Sequence, residues 1–170
     1  MLKTKEIALI AMLSSTGGAI SVPIGYLGNL LKGMPWLPFG SPQLLSGIHI
    51  IWLVLGRLLT KRFGTATLIG GVKGLVELSL FSFHGVQVLP ISIVEGLTAD
   101  LVLFILDSNS LLEVAIAGGL SSSSNVLVIY LFLLQSLPIV LIALMWFFSF
   151  ISGLLAGYFC KYCSKLIPIY

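Results

Sequence analysis

The chain has 170 residues, of which 58% are hydrophobic and only 9% charged, and its mean hydropathy is +1.12. An ordinary soluble domain carries about 25% charged residues, so a water-soluble fold of this size is excluded and the natural solvent is lipid. The net charge of +3 resides on side chains clustered where the chain would leave a bilayer. No continuous basic face remains to track phosphates, which excludes nucleic acid as a partner.

A helix needs about 20 apolar residues to cross the hydrocarbon. Six spans are predicted: Glu6–Ile24, Ser41–Leu59, Thr65–Phe83, Leu89–Asp107, Leu111–Leu134 and Pro138–Cys160. Pro90 and Pro138 fall in first turns, where a missing N–H is harmless, and "KRFG" and "SFHG" interrupt the chain between spans. No soluble domain fits around them. The expected fold is all-α: one integral membrane domain over residues 1–170, a bundle of six transmembrane helices. Lys3, Lys5, Arg57, Lys61, Arg62, Lys161 and Lys165 would share one side and Lys32 the other. That bias predicts two cytoplasmic termini and a multi-pass protein of the cell membrane. Glu6 spoils the basic start that a cleaved leader would need.

Span one carries Ala11, Ser15 and Ala19 at four-residue spacing, and span six repeats the device with Ser149, Gly153 and Gly157. Small residues at that interval let helices approach closely, either within the bundle or against a partner. The segment "GYLGNLLKGMPWLPFG" follows span one. With Tyr26, Trp36 and Phe39 it suits an interfacial anchor, a cover over a site, or both.

Spans two to four hold the ionisable groups: His49, then Lys73, Glu77 and His84, then Glu95 and Asp100. Gly70, Lys73, Glu77 and His84 recur at spacings of three, four and seven, which is one helical face. If span three ends at His84, Glu77 lies about 10 Å and Lys73 about 16 Å below its outer end. Span four runs inward from Pro90, so Glu95 is about 8 Å and Asp100 about 15 Å deep, and His49 on span two about 12 Å. This pairs Glu77 with Glu95 in level, and Lys73 with Asp100. A Lys73–Asp100 pair gluing two helices is the structural alternative, but it leaves Glu77, Glu95 and His49 unexplained. Charges in lipid each cost about 2.5–3.5 kcal/mol on insertion scales and face a partner or a cavity. One lysine against three carboxylates leaves an excess of two, which suits a cationic ligand or one rich in N–H donors. "SSSSN" at Ser121–Asn125 is polar for span five and is expected to face inward.

Cys160 and Cys163 form a lone CxxC, too little for a disulfide framework or, without partners, a redox or metal site. No phosphate-binding loop, HExxH or clustered His/Cys set is present, so no metal or cofactor is expected and the chain does not hydrolyse ATP by itself. A small membrane enzyme using its carboxylates and histidine is the alternative to binding or transport. A self-contained carrier is disfavoured because no inverted repeat is evident.

At "LLSGIHIIWLVLGRLLTKRFGTATLIGGVKGLVELSLFSFHG", followed by "EGLTADLVLFIL", the chain resembles an S component of the energy-coupling factor (ECF) vitamin transporters. Nearest is the YkoE-like hydroxymethylpyrimidine/thiamine group, also labelled a cobalt-transport permease component. The resemblance covers Pro42 to Leu106. In that group a Lys-Pro-Gly-like turn follows span two, a glutamate lies in span three, and a Gln-Gly…Glu pattern lies in span four. Here those positions resemble "KRFG", Glu77, and Glu95-Gly96 with Asp100. Glu95 stands for a glutamine and Lys73 for a neutral residue, so the substrate is less defined than the class. The resemblance implies six helices, an outward-opening vitamin pocket under the first loop, and no catalysis. It also implies a transmembrane coupling subunit, met by a small-residue patch similar to Ala11, Ser15 and Ala19, with two ATPases beneath.

Overall fold

Lipid offers the backbone no hydrogen-bond partners, so each buried segment must satisfy its own N–H and C=O groups as a helix. The computed structural model describes residues 2–31, 41–82, 85–106, 110–132 and 136–167. Among these it has six α-helices: α1 Thr4–Leu31, α2 Ser46–Thr60, α3 Thr65–Ser79, α4 Val88–Ile105, α5 Leu111–Phe132 and α6 Ile139–Leu166. Short 3₁₀ turns at Ser41–Leu45 and Gly85–Gln87 lead into α2 and α4. Five of the segments are long and apolar enough to cross a membrane. The exception is α3, whose 15 residues reach about 22 Å against about 30 Å of hydrocarbon.

Three boundaries differ from the sequence expectation. α1 runs on through Pro23 to Leu31, so Tyr26 stands on a helix and not in a covering loop. A proline removes one N–H but keeps a helical φ, and in lipid the flanking backbone has no better partner than the helix itself. α6 likewise continues through Cys163 to Leu166, placing the CxxC within the helix, where the Cys160 thiol donates to the Ile51 carbonyl at 3.3 Å. α3 instead stops at Ser79, followed by Phe81 with a φ of 57°. Pro138 stands immediately before α6 as its N-cap.

The "KRFG" break is real: Lys61 takes a φ of 54° and caps α2 by donating to the Arg57 carbonyl at 2.9 Å, and Gly64 at φ 88° precedes α3. Glu6 ties this turn to the start of α1. Its carboxylate accepts the Lys3 N–H at 2.6 Å and Arg62 Nε–H at 2.8 Å.

Glycines set the helix spacings that matter for the site. A Cβ on Gly70 would collide with the Ser92 carbonyl, and one on Gly96 with the Ala66 carbonyl. These contacts lock the register of α3 on α4. On α6 the small stripe Ser149, Gly153 and Gly157 is buried, with Gly153 and Gly157 against the α5 backbone at Gly118 and Val114. The matching stripe on α1 does the opposite: Ala11, Ser15 and Ala19 are exposed, while Ser14, Gly17 and Gly18 face the bundle.

Candidate functional site

Two buried polar clusters lie at different levels of the bundle. The first is structural. Asp100 is fully buried on α4 and meets the first turn of α3, accepting the Ala66 N–H at 3.3 Å, the Thr67 N–H at 2.8 Å and the Thr67 hydroxyl at 2.7 Å. Free N–H groups and the dipole at a helix start both favour such a carboxylate. Buried Arg57 from α2 completes the cluster, its Nε 3.3 Å from Asp100 Oδ1. The expected pairing of Lys73 with Asp100 is therefore incorrect. Because α3 ends at Ser79, and Gly70 and Gly96 fix its register on α4, Asp100 sits at the opposite end of α3 from Glu77. Arg57, assigned by sequence to the membrane exit, is the actual partner.

The second cluster surrounds a cavity between α2, α3, α4 and α5. His49, Lys73, Glu77, Val88, Ile91, Ser92, Glu95 and Asn125 line it. Four of these are residues the sequence grouped by depth. Lys73 ion-pairs with Glu77 one turn away on the same helix, and both are essentially inaccessible. Glu95 is 1% exposed, and its Oε1 has no hydrogen-bond partner. Asn125, the hydrogen-bonding neighbour of the Glu95 carboxyl, also leaves Oδ1 unpaired. Two acceptor oxygens on residues from different helices thus line one cavity without a protein donor, which a ligand or water would have to supply.

Asn125 and Ser92 were not assigned to the site from sequence, although "SSSSN" in an apolar span was the available signal for Asn125. The preceding serines serve the frame. Ser121 donates to the Glu95 carbonyl at 2.7 Å, holding α4 to α5 beside the cavity. The hydroxyls of Ser46, Ser122 and Ser149 interlock at 2.7–3.0 Å and join α2, α5 and α6.

Asp100 and Tyr26, also expected at the site, are not among the residues that line the cavity. Asp100 is held at the α3 N-terminus. Tyr26 donates from its hydroxyl to the Phe81 carbonyl at 3.0 Å, tying α1 to the end of α3. Trp36 and His84 lie outside the described residues. The cavity has a volume of about 30 Å³, room for two or three waters. Among the described residues, no three His, Cys, Asp or Glu side chains are placed to hold a metal ion.

Residues 5–124 match the family model described as the permease component of an ABC-type cobalt transport system. A solved structure described as an S-component of an ECF transporter superposes with a TM-score of 0.87 at 26% identity, covering 98% of this chain and 85% of that one. None of the curated proteins matches the chain.

Proposed function

The chain belongs to the family of permease components of ABC-type cobalt transport systems, and from that premise we propose that it is the substrate-binding membrane subunit of an ATP-driven ECF importer. Family membership makes it a multi-pass cell-membrane transport component and sets aside the enzyme alternative. The proposed substrate is a thiamine-related vitamin or precursor, cationic or carrying an amino-substituted ring. One observation carries this reading: Glu95 Oε1 and Asn125 Oδ1 are buried without a protein donor, on residues that line one cavity. A carboxylate beside an amide oxygen accepts paired N–H donors well.

Glu77 and His49 complete the polar wall, and Trp36 and His84 are proposed as further substrate contacts. With cytoplasmic termini the cavity would face outward, and all six helices would span with α3 extended by its flanking turns. A ligand of vitamin size would need the cavity between α2, α3, α4 and α5 to widen. The exposed Ala11, Ser15 and Ala19 face is proposed to meet the coupling subunit, which carries two ATPases. Cobalt itself is a weaker substrate candidate, since the Lys73 ammonium already occupies one of the two cavity carboxylates.

Calorimetric titration of the purified protein with thiamine, hydroxymethylpyrimidine, riboflavin, biotin and cobalt(II) tests the reading. Binding of thiamine or hydroxymethylpyrimidine without ATP is expected. Tight binding of only an anionic or apolar compound, or of cobalt alone, would overturn it.

A further inference from the structure

Why the cavity contains a lysine at all is not explained by the fold. Lys73 and Glu77 lie on one helix, so their attraction joins no two elements, unlike Arg57 with Asp100 across α2 and α4. A buried ion pair of that kind is roughly neutral or unfavourable against well-packed apolar residues. Structural economy would therefore remove it.

The surroundings give the ammonium a second position. Its partner Glu77 and the half-satisfied Glu95 line the same cavity. A lysine stem has several rotatable bonds and a compact head that can exchange partners. With Glu77 and Glu95 both ionised and His49 set aside, the cavity carries one ammonium and two carboxylates, a formal charge of −1. One added monovalent cation would neutralise it. A dication would leave an excess positive charge in low dielectric, and an anion would double the negative one.

We propose that Lys73 is a displaceable internal counter-ion, which moves from Glu77 to Glu95 as substrate arrives and makes the site prefer ligands carrying one positive charge. The inference rests on the vitamin-binding reading and deepens it by setting the preferred charge of the ligand. Without substrate the ammonium takes the place of the substrate's cationic group at Glu77. On binding, the substrate cation takes Glu77. Lys73 swings toward Glu95, whose carboxylate it shares with the substrate's N–H groups, and these also engage the Asn125 oxygen.

The test uses the full-length wild-type protein and Lys73→Met, a substitution close in length without charge. Thiamine serves as the organic monocation, hydroxymethylpyrimidine as a neutral N–H donor and cobalt(II) as a dication. The wild type is expected to prefer thiamine and to bind with a heat independent of the buffer's ionisation enthalpy, because the ammonium relocates without losing its proton. Lys73→Met is expected to gain at least about tenfold in cobalt(II) affinity relative to thiamine, since two uncompensated carboxylates then face each other. Unchanged charge preference in Lys73→Met would overturn the proposal while leaving vitamin binding intact. Should Lys73→Met not fold, the wild-type titration decides: release of about one proton per bound thiamine contradicts relocation of the ammonium, and no release supports it. Failure of the wild type to bind any probe would overturn the vitamin-binding reading and this inference together.

Discussion

Asp100 and Arg57 pair across α4 and α2 at 3.3 Å while Asp100 also caps α3, and the two residues thereby fix the end of the bundle remote from the cavity. This separates a scaffold cluster from a ligand cluster, so substitutions in the two should fail differently.

Asp100→Ala should cost about 3–5 kcal/mol, because it strands a buried arginine and removes a helix cap. Arg57→Met combined with Asp100→Leu should recover the charge part of that loss and leave only the cap deficit of about 1 kcal/mol. Thermal unfolding in detergent checks both. Ligand affinity per folded molecule should stay near the wild-type value, since neither residue lines the cavity.

Glu95→Gln should show the reverse pattern. Replacing its carboxylate should weaken ligand binding by about 1.5–3 kcal/mol, the scale of a charge-assisted hydrogen bond. The melting temperature should hold or rise, because an unpaired buried acceptor is exchanged for a neutral amide. A large loss of stability with unchanged affinity would make Glu95 a frame residue.

Gly96→Ala probes the register on which the site depends. Its Cβ would press on the Ala66 backbone, which cannot yield as a flexible side chain could. Overpacking of this kind costs about 1–3 kcal/mol. Stability and ligand affinity should fall together, as α4 carries Glu95 away from α3. Calorimetry and unfolding on the same preparation would reveal a split between them.

On α1 the two faces should separate cleanly. Ser15→Leu or Ala11→Leu adds bulk to an exposed face, so binding and melting temperature should persist while cellular uptake is lost, because close helix approach to a partner tolerates no added volume. Gly17→Leu instead drives a side chain into Trp52 and should destabilise the bundle outright. Uptake that survives Ser15→Leu would move the partner surface elsewhere.

Much of this architecture was legible in the sequence because lipid leaves so few choices. Apolar runs of membrane length, with "KRFG" between two of them, identify the helices. The cost of charge in lipid is what gathers His49, Lys73, Glu77 and Glu95 around one cavity. The register of α3 on α4 was not legible. It depends on Gly70 and Gly96 meeting particular carbonyls and on α3 ending at Ser79, neither of which a hydropathy pattern contains. An error of four residues at the C-terminal end of α3, just over one helical turn, was enough to mispair Lys73 with Asp100 and to miss Arg57. The continuation of α1 past Pro23 was hidden for a related reason, since proline reads as a stop in water but less so where the backbone has no solvent to turn to.

The central claim is that Glu95, Asn125 and Glu77 hold a cationic or N–H-rich small molecule. Mass spectrometry of compounds released from protein purified in mild detergent, wild type beside Glu95→Gln, addresses it most directly. The account predicts a thiamine-related cation or aminopyrimidine released from the wild type and strongly depleted from Glu95→Gln. An anionic or purely apolar compound, retained equally by both proteins, would contradict it.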